Sequence, residues 1–148
     1  MLRIISLNLN GIRSAATKGV FDWLALQDAD FVCVQELKAQ MPDLTTQMQA
    51  PDGYRGWFHC AEKKGYSGVG VYSRHTPENV VIGLGNAEFD AEGRYVQLDF
   101  PKLSVISVYL PSGSSSPERQ EAKFRFLDVF YPHLQKLRAE AAKNGREV

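Results

Sequence analysis

The sequence has few cysteines, no net charge and no long apolar segment. Its 148 residues contain two cysteines, Cys33 and Cys60, which excludes a disulfide framework and favours a reducing compartment. The 17 basic and 17 acidic side chains cancel, which argues against a strongly basic coat for non-specific DNA binding but is compatible with a local basic patch. No run approaches the roughly 20 apolar residues of a membrane span, and the apolar N-terminus is too short for a signal peptide. A soluble, cytoplasmic protein with no membrane partner is expected.

The composition is that of a globular chain. Hydrophobic residues make up 44% and charged residues 23%, which excludes intrinsic disorder, collagen-like repeats and coiled coil. No internal repeat, linker or low-complexity tract divides the 148 residues. At this length, a single domain with a substantial core is expected.

Hydrophobic patterning predicts an α/β fold. Residues 2–9 and 30–36 are aliphatic runs typical of strands, and residues 18–27 have apolar side chains at helical spacing, which together make a βαβ-sized unit. Later strands are predicted at 68–73, 79–83, 94–100 and 103–109, separated by turns and therefore mostly antiparallel.

A long C-terminal helix is predicted from its capping signals. Ser116 and Pro117 form an N-terminal signal, and Asn144-Gly145 forms a C-terminal one. Pro132 is expected to kink or briefly break this helix. The last three residues, 146–148, read as the beginning of a further strand, so the chain is expected to be a fragment.

Three polar residues follow predicted strands, where side chains in layered α/β folds converge on one crevice. They are Asn8, Glu36 and Tyr109. A carboxylate with an amide oxygen is the hard-oxygen chemistry that Mg²⁺ or Mn²⁺ prefers. The residues alone also allow other interpretations: Asn8 could be a turn residue, Glu36 a solvated glutamate and Tyr109 an aromatic residue at the rim of the sheet.

Four motifs occur in order along the chain: SLNLNGIR at 6–13, QELK at 35–38, GYSGV at 65–69 and VYLPSG at 108–113. Together they resemble the exodeoxyribonuclease III branch of the endonuclease/exonuclease/phosphatase superfamily, the bacterial abasic-site endonucleases. The resemblance extends over essentially the whole chain. It implies a four-layer α/β/β/α sandwich of mixed, largely antiparallel sheets, of which this chain is the N-terminal portion.

The resemblance also implies roles for individual residues. Glu36 and Asn8 match the positions that hold the divalent cation, which by this resemblance is Mg²⁺, with Mn²⁺ as the alternative. Tyr109 and Asn10 match catalytic positions. The positions matching DNA-binding residues are Lys38, Gly65, Tyr66, Ser67 and Arg94. For Lys38 and Arg94, a solvated surface charge is the alternative.

The implied activity is metal-dependent hydrolysis of the phosphodiester 5′ to abasic sites, with 3′–5′ exonuclease and 3′-phosphodiesterase activity in base excision repair. The implied partner is double-stranded DNA with abasic sites or 3′ ends, bound by a protein that is monomeric in complete form. Another phosphoester substrate of the same fold, such as general DNA or an inositol phosphate, is one alternative, and a non-catalytic nucleic-acid-binding fragment is another.

The chain departs from the family pattern in two motifs. The Gly-Asp-x-Asn segment, with its base aspartate, and the Ser-Asp-His segment, with its catalytic histidine, are both absent. The histidines present are expected to be structural (His133) or loop residues (His59 and His75). Residues 1–148 are therefore expected to be an incomplete domain that lacks its C-terminal part and is inactive by itself.

Overall fold

Two β-sheets lie face to face in the computed structural model, which describes residues 1–148. The strands in chain order are β1 (Ile4–Asn8), β2 (Phe31–Gln35), β3 (Arg55–His59), β4 (Val69–Ser73), β5 (Asn79–Ile82), β6 (Tyr95–Asp99) and β7 (Ser104–Val108). The first sheet has the order β1–β2–β4–β3, in which only the β1–β2 pair is parallel. The second sheet, β5–β6–β7, is antiparallel.

Helices cover the outer face of each sheet. They are α1 (Ile12–Thr17), α2 (Val20–Ala25), α3 (Thr46–Gln49), α4 (Ala87–Asp90) and α5 (Pro117–Lys143), with a 3₁₀ turn at Met41–Asp43. None of them combines the length and the apolar character that crossing a membrane requires.

Strand β2 shows why the layers form, since it is buried on both faces. Val32 and Val34 belong to a core cluster with residues of α1, α2 and α3. Phe31 and Cys33 point the other way, into a cluster shared with β6 and β7 of the second sheet. The layer order is therefore α/β/β/α, which confirms the predicted fold class and the buried state of Cys33.

The structure corrects several sequence-based element assignments. Strand β3 was not predicted, so His59 lies in a strand rather than a loop, whereas His75 does lie in a loop. Helix α1 was also missed, and the predicted helix at 18–27 is shorter, beginning after Gly19. At the C-terminus, Glu147 makes a parallel bridge to Leu103 beside β7, consistent with the extended segment expected there.

Helix α5 is continuous through Pro132, so the expected break is wrong. The Ser116 side chain accepts a hydrogen bond from the Arg119 N–H at its start, as predicted. Pro132 lies on the exposed face of the helix, where water can satisfy the carbonyl that loses its intrahelical partner. On the opposite face, Phe126, Leu137 and Ala141 are buried and hold the helix in place.

His133, on the inner side of α5, is structural as expected and makes stability depend on pH. Its Nε2 lies 2.8 Å from the Tyr95 hydroxyl. Burial, helped by Lys136 and opposed by Glu140, lowers the pKa of His133 below its ordinary value. His133 therefore binds a proton more readily in the unfolded chain than in the folded protein. As a result, the free energy of unfolding should fall as the pH drops below about 6.5, and it should level off once the pH is below the pKa of His133 in the folded protein. Urea titrations should show this slope in the wild type and in His75→Gln, and its loss in His133→Gln; an unchanged slope in His133→Gln contradicts the assignment.

A close approach between two backbone segments requires glycine at position 93, two residues before the start of β6. Its φ is +61°, and an added Cβ would lie within 2.6 Å of the backbone at His59, Cys60 and Ala61. Gly65 has a similar φ of +67° but open space around it. Gly65→Ala should therefore lower the free energy of unfolding only by the strain of placing alanine in a left-handed backbone conformation, about 1–2 kcal/mol. Gly93→Ala should lower the free energy of unfolding by more, as measured by urea denaturation; equal losses would contradict this packing.

Candidate active site

The ends of β1 and β2 place the first candidate residues side by side. Asn8 is the last residue of β1 and pairs in register with Gln35, the last residue of β2. Glu36 follows directly, and its carbonyl accepts a hydrogen bond from the Gly11 N–H at 2.8 Å. Because the two strands are parallel, their polar ends share one edge of the sheet, as predicted.

Tyr109 reaches the same edge from the second sheet. It follows β7, and its hydroxyl donates a hydrogen bond of 2.6 Å to Glu36 Oε1. This hydrogen bond holds the pKa of Glu36 below its ordinary value despite partial burial, with further lowering by Asn8 and Lys38. Burial and the same hydrogen bond raise the pKa of Tyr109 to about 12. At neutral pH the pair is a carboxylate and a protonated phenol.

Lys38 contacts both Glu36 and the turn that follows β1. Its Nζ lies 3.4 Å from Glu36 Oε2 and donates to Asn10 Oδ1 at 2.7 Å. The Asn10 N–H in turn donates to Asn8 Oδ1 at 2.9 Å. Lys38 is thus an ion-pair partner rather than a free surface charge, and five of the predicted residues form one connected network.

The backbone at the site is held in an unusual conformation. Five non-glycine residues have positive φ, and four of them are predicted site residues: Asn10 (46°), Glu36 (53°), Lys38 (48°) and Ser67 (48°). Left-handed backbone is costly for such residues and persists where the surroundings impose it, frequently at functional sites.

The three residues of the 65–67 loop occupy different environments. Gly65 is exposed, and Tyr66 is partly buried with its hydroxyl accepting hydrogen bonds from Arg94 (2.9 Å) and Arg119 (3.3 Å). Ser67 is 3% exposed, and its backbone carbonyl accepts from the Lys38 N–H. Tyr66 therefore lines the cleft with its hydroxyl held by two arginines, whereas the Ser67 side chain is almost fully buried.

Arg94 is 1% exposed, so the alternative of a solvated surface charge is wrong. Its guanidinium donates to Glu92 Oε2, to the Tyr109 carbonyl and to the Tyr66 hydroxyl. These protein partners make Arg94 part of the site's floor, and direct contact with DNA stays a prediction.

An open cleft of about 760 Å³ lies over this floor. Its charged lining includes Glu36, Lys38, Glu62, Lys63, Glu88, Glu92, Arg94 and Arg119. Asn8 and Asn10 line a neighbouring groove of about 420 Å³ instead. Glu92 and Arg119 were not predicted, because neither belongs to a motif and only tertiary contacts bring them to the cleft.

The oxygen atoms of Glu36 and Asn8 are suitable ligands for a divalent metal ion. No group of three or more His, Cys, Asp or Glu side chains comes together anywhere in the chain. Glu36 and Asn8 nevertheless offer one carboxylate and one amide oxygen, and Mg²⁺ commonly takes only one or two protein carboxylates, with water and substrate phosphate completing its shell.

The sandwich and its polar cleft define a layered α/β protein with a carboxylate–tyrosine site where its two sheets meet. Residues 5–146 match the model of the endonuclease/exonuclease/phosphatase family, and the chain belongs to this family.

The relatives it resembles include an exodeoxyribonuclease of Bacillus subtilis, with 34% identity over 92% of this chain and 53% of the relative. A DNA-(apurinic or apyrimidinic site) endonuclease of Dictyostelium discoideum is 32% identical to this chain. The match covers 93% of this chain and 38% of the Dictyostelium protein. The solved AP endonuclease from Archaeoglobus fulgidus superposes with a TM-score of 0.80 at 32% identity, covering 92% of this chain and 52% of that structure. The chain thus spans about half of the bacterial and archaeal relatives, and less of the Dictyostelium one.

Proposed function

We propose that this chain forms the metal- and phosphate-binding part of a DNA repair nuclease. The observation that carries the proposal is the network of Tyr109, Glu36, Lys38 and Asn10 beside the open cleft. The proposed reaction is hydrolysis of the phosphodiester 5′ to an abasic site, with 3′–5′ exonuclease and 3′-phosphodiesterase activity. Relatives named exodeoxyribonuclease and abasic-site endonuclease support DNA as the substrate class.

Glu36 and Asn8 are the proposed holders of Mg²⁺ or Mn²⁺. Glu36 is suited to this role because its lowered pKa keeps it ionised at neutral pH. A bound divalent cation would supply charge stabilisation on the phosphate and the leaving oxygen.

The remaining residues have proposed roles in holding the phosphate. Tyr109 stays protonated at neutral pH, so its hydroxyl, which donates to Glu36 in this structure, is a donor that could stabilise charge on a phosphoryl oxygen of bound substrate. Lys38 and Arg119 place positive charge at the cleft, where they attract the DNA backbone without reading its sequence. An abasic nucleotide enters such a cleft at low cost, because it is unstacked and flexible.

We also propose that residues 1–148 are part of a larger domain. The base aspartate and the catalytic histidine that the family resemblance implies are not among these residues. The chain alone should therefore bind abasic duplex DNA, detected by fluorescence anisotropy, without cutting it. Mg²⁺-dependent incision by purified 148-residue chain would contradict this part of the proposal.

The activity is tested in a chimera that joins the chain to the part of the Bacillus subtilis exodeoxyribonuclease that it does not match. The substrate is a labelled duplex with one abasic-site analogue, and an undamaged duplex and a phosphoinositide are the controls. The proposal expects Mg²⁺-dependent incision at the abasic site. Cleavage of the phosphoinositide instead would favour another phosphoesterase of this fold, and DNA binding without cleavage would favour a non-catalytic module.

A further inference from the structure

A carboxylate that no motif identifies, that of Glu92, lines the cleft beside Arg94 and Arg119. Glu92 Oε2 accepts a hydrogen bond from Arg94 Nε at 2.6 Å and forms ion pairs with Arg94 Nη2 at 2.5 Å and with Arg119 Nη2 at 3.5 Å. The side chains of Glu92 and Arg94 are 17% and 2% exposed, whereas that of Arg119 is 32% exposed. One partly buried carboxylate therefore holds two guanidinium groups, of which the more exposed one, that of Arg119, lines the cleft.

Arg94 connects this carboxylate to both tyrosines of the site. Its Nη1 donates to the Tyr109 carbonyl at 2.9 Å, and its Nη2 donates to the Tyr66 hydroxyl at 2.9 Å. The guanidinium carbon also lies 5.4 Å from the centre of the Tyr109 ring and 5.8 Å from that of Tyr66. The guanidinium is planar and its N–H groups have fixed relative directions. Its orientation on Glu92 therefore determines the directions in which Nη1 and Nη2 donate to Tyr109 and Tyr66.

Tyr109 carries the connection to the metal carboxylate. Its backbone is held by Arg94, and its hydroxyl donates to Glu36 Oε1 at 2.6 Å. A continuous path of hydrogen bonds thus runs from Glu92 through Arg94 and Tyr109 to Glu36, although Glu92 and Glu36 share no hydrogen bond.

We propose that Glu92 is a positioning residue of the nuclease site, which fixes Tyr109 against Glu36 by orienting Arg94; this role rests on the proposed function. Glu92 lines the same cleft as Glu36 but makes no hydrogen bond or ion pair with it, so it acts on Glu36 only through its neighbours. Removing its charge leaves the enclosed Arg94 without an anionic partner, and the guanidinium then turns away from the Tyr109 carbonyl. The hydroxyl of Tyr109 loses its fixed approach to Glu36 as a result.

The test compares Glu92→Gln with Glu62→Gln in the 148-residue chain. Glu62 also lines the cleft, but its carboxylate makes no ion pair, which makes it the matched control. The readout is the NMR signal of the Glu36 side-chain carboxyl carbon, with the Asp30 carboxyl as a reference outside the site. We expect Glu92→Gln to shift the Glu36 signal and leave Asp30 unchanged, and Glu62→Gln to shift neither.

A second variant separates positioning from a general loss of packing. Glu92→Asp keeps the charge and should move the Glu36 signal less than Glu92→Gln does. In a Tyr109→Phe background, which lacks the hydroxyl, Glu92→Gln should no longer shift Glu36. An unmoved Glu36 signal in Glu92→Gln, or a shift that survives in Tyr109→Phe, overturns the positioning role. These signals are measured without DNA or metal, so a failed nuclease assay and a failed positioning test are distinguishable.

Discussion

Replacing Glu36 by glutamine is expected to lower Mg²⁺-dependent incision of an abasic duplex by about a thousandfold in the active chimera. The change removes the only carboxylate in the hydrogen-bonded network of Asn8, Asn10, Lys38 and Tyr109. Metal-based charge stabilisation of about 4 kcal/mol corresponds to this factor. Affinity for the duplex without metal, measured by fluorescence anisotropy, should change little, because DNA positioning rests on cations rather than on Glu36.

Glu62→Gln is the matched control for that experiment. Glu62 lines the same cleft and carries the same charge, but it makes no contact with Tyr109 or Lys38. Its replacement should leave incision within a fewfold of wild type. Equal losses in the two variants would mean that the overall charge of the cleft matters and that Glu36 has no special role.

Replacing Arg94 by methionine is expected to lower the free energy of unfolding by about 3 kcal/mol, because the partly buried Glu92 carboxylate loses its enclosed partner and keeps only the more distant Arg119. This is a large share of the roughly 5–15 kcal/mol that stabilises a typical domain. Urea denaturation followed by tryptophan fluorescence measures the change.

Arg125→Met is the comparison for the Arg94 variant. Arg125 also pairs with a glutamate, Glu88, but the two side chains are 53% and 42% exposed. A surface pair of this kind contributes little to stability, so Arg125→Met should change the free energy of unfolding much less than Arg94→Met does. If both variants lost the same amount, Arg94 would not be acting as an enclosed charge.

The sequence predicted the elements whose hydrophobic pattern is strong. Strand β2 and helix α5 were predicted from a continuous apolar run and from capping residues, and both are present with small changes in their bounds. Strand β3 was missed because it is a short edge strand with a glycine, Gly56, as its second residue, so its hydrophobic pattern lacks a clear period of two. Helix α1 was missed because six residues give too few turns to establish a helical period.

The sequence predicted those site residues that belong to its four motifs. The four motif segments named Asn8, Glu36 and Tyr109, and the structure brings these three residues to one edge of the sheets. The burial of Arg94 and the presence of Glu92 and Arg119 could not be read from the sequence. They depend on the chain crossing from β6 to α5, so that residues distant in sequence share one carboxylate oxygen.

The most direct test of the metal assignment is a Mn²⁺ titration of the 148-residue chain, followed by paramagnetic broadening of its NMR signals. We expect the signals of Glu36 and Asn8 to broaden first, excess Mg²⁺ to restore them, and Glu36→Gln to abolish the effect while Glu62→Gln retains it. Broadening centred on Glu62 and Glu88, or broadening that persists in Glu36→Gln, would contradict the assignment of Glu36 as the metal carboxylate.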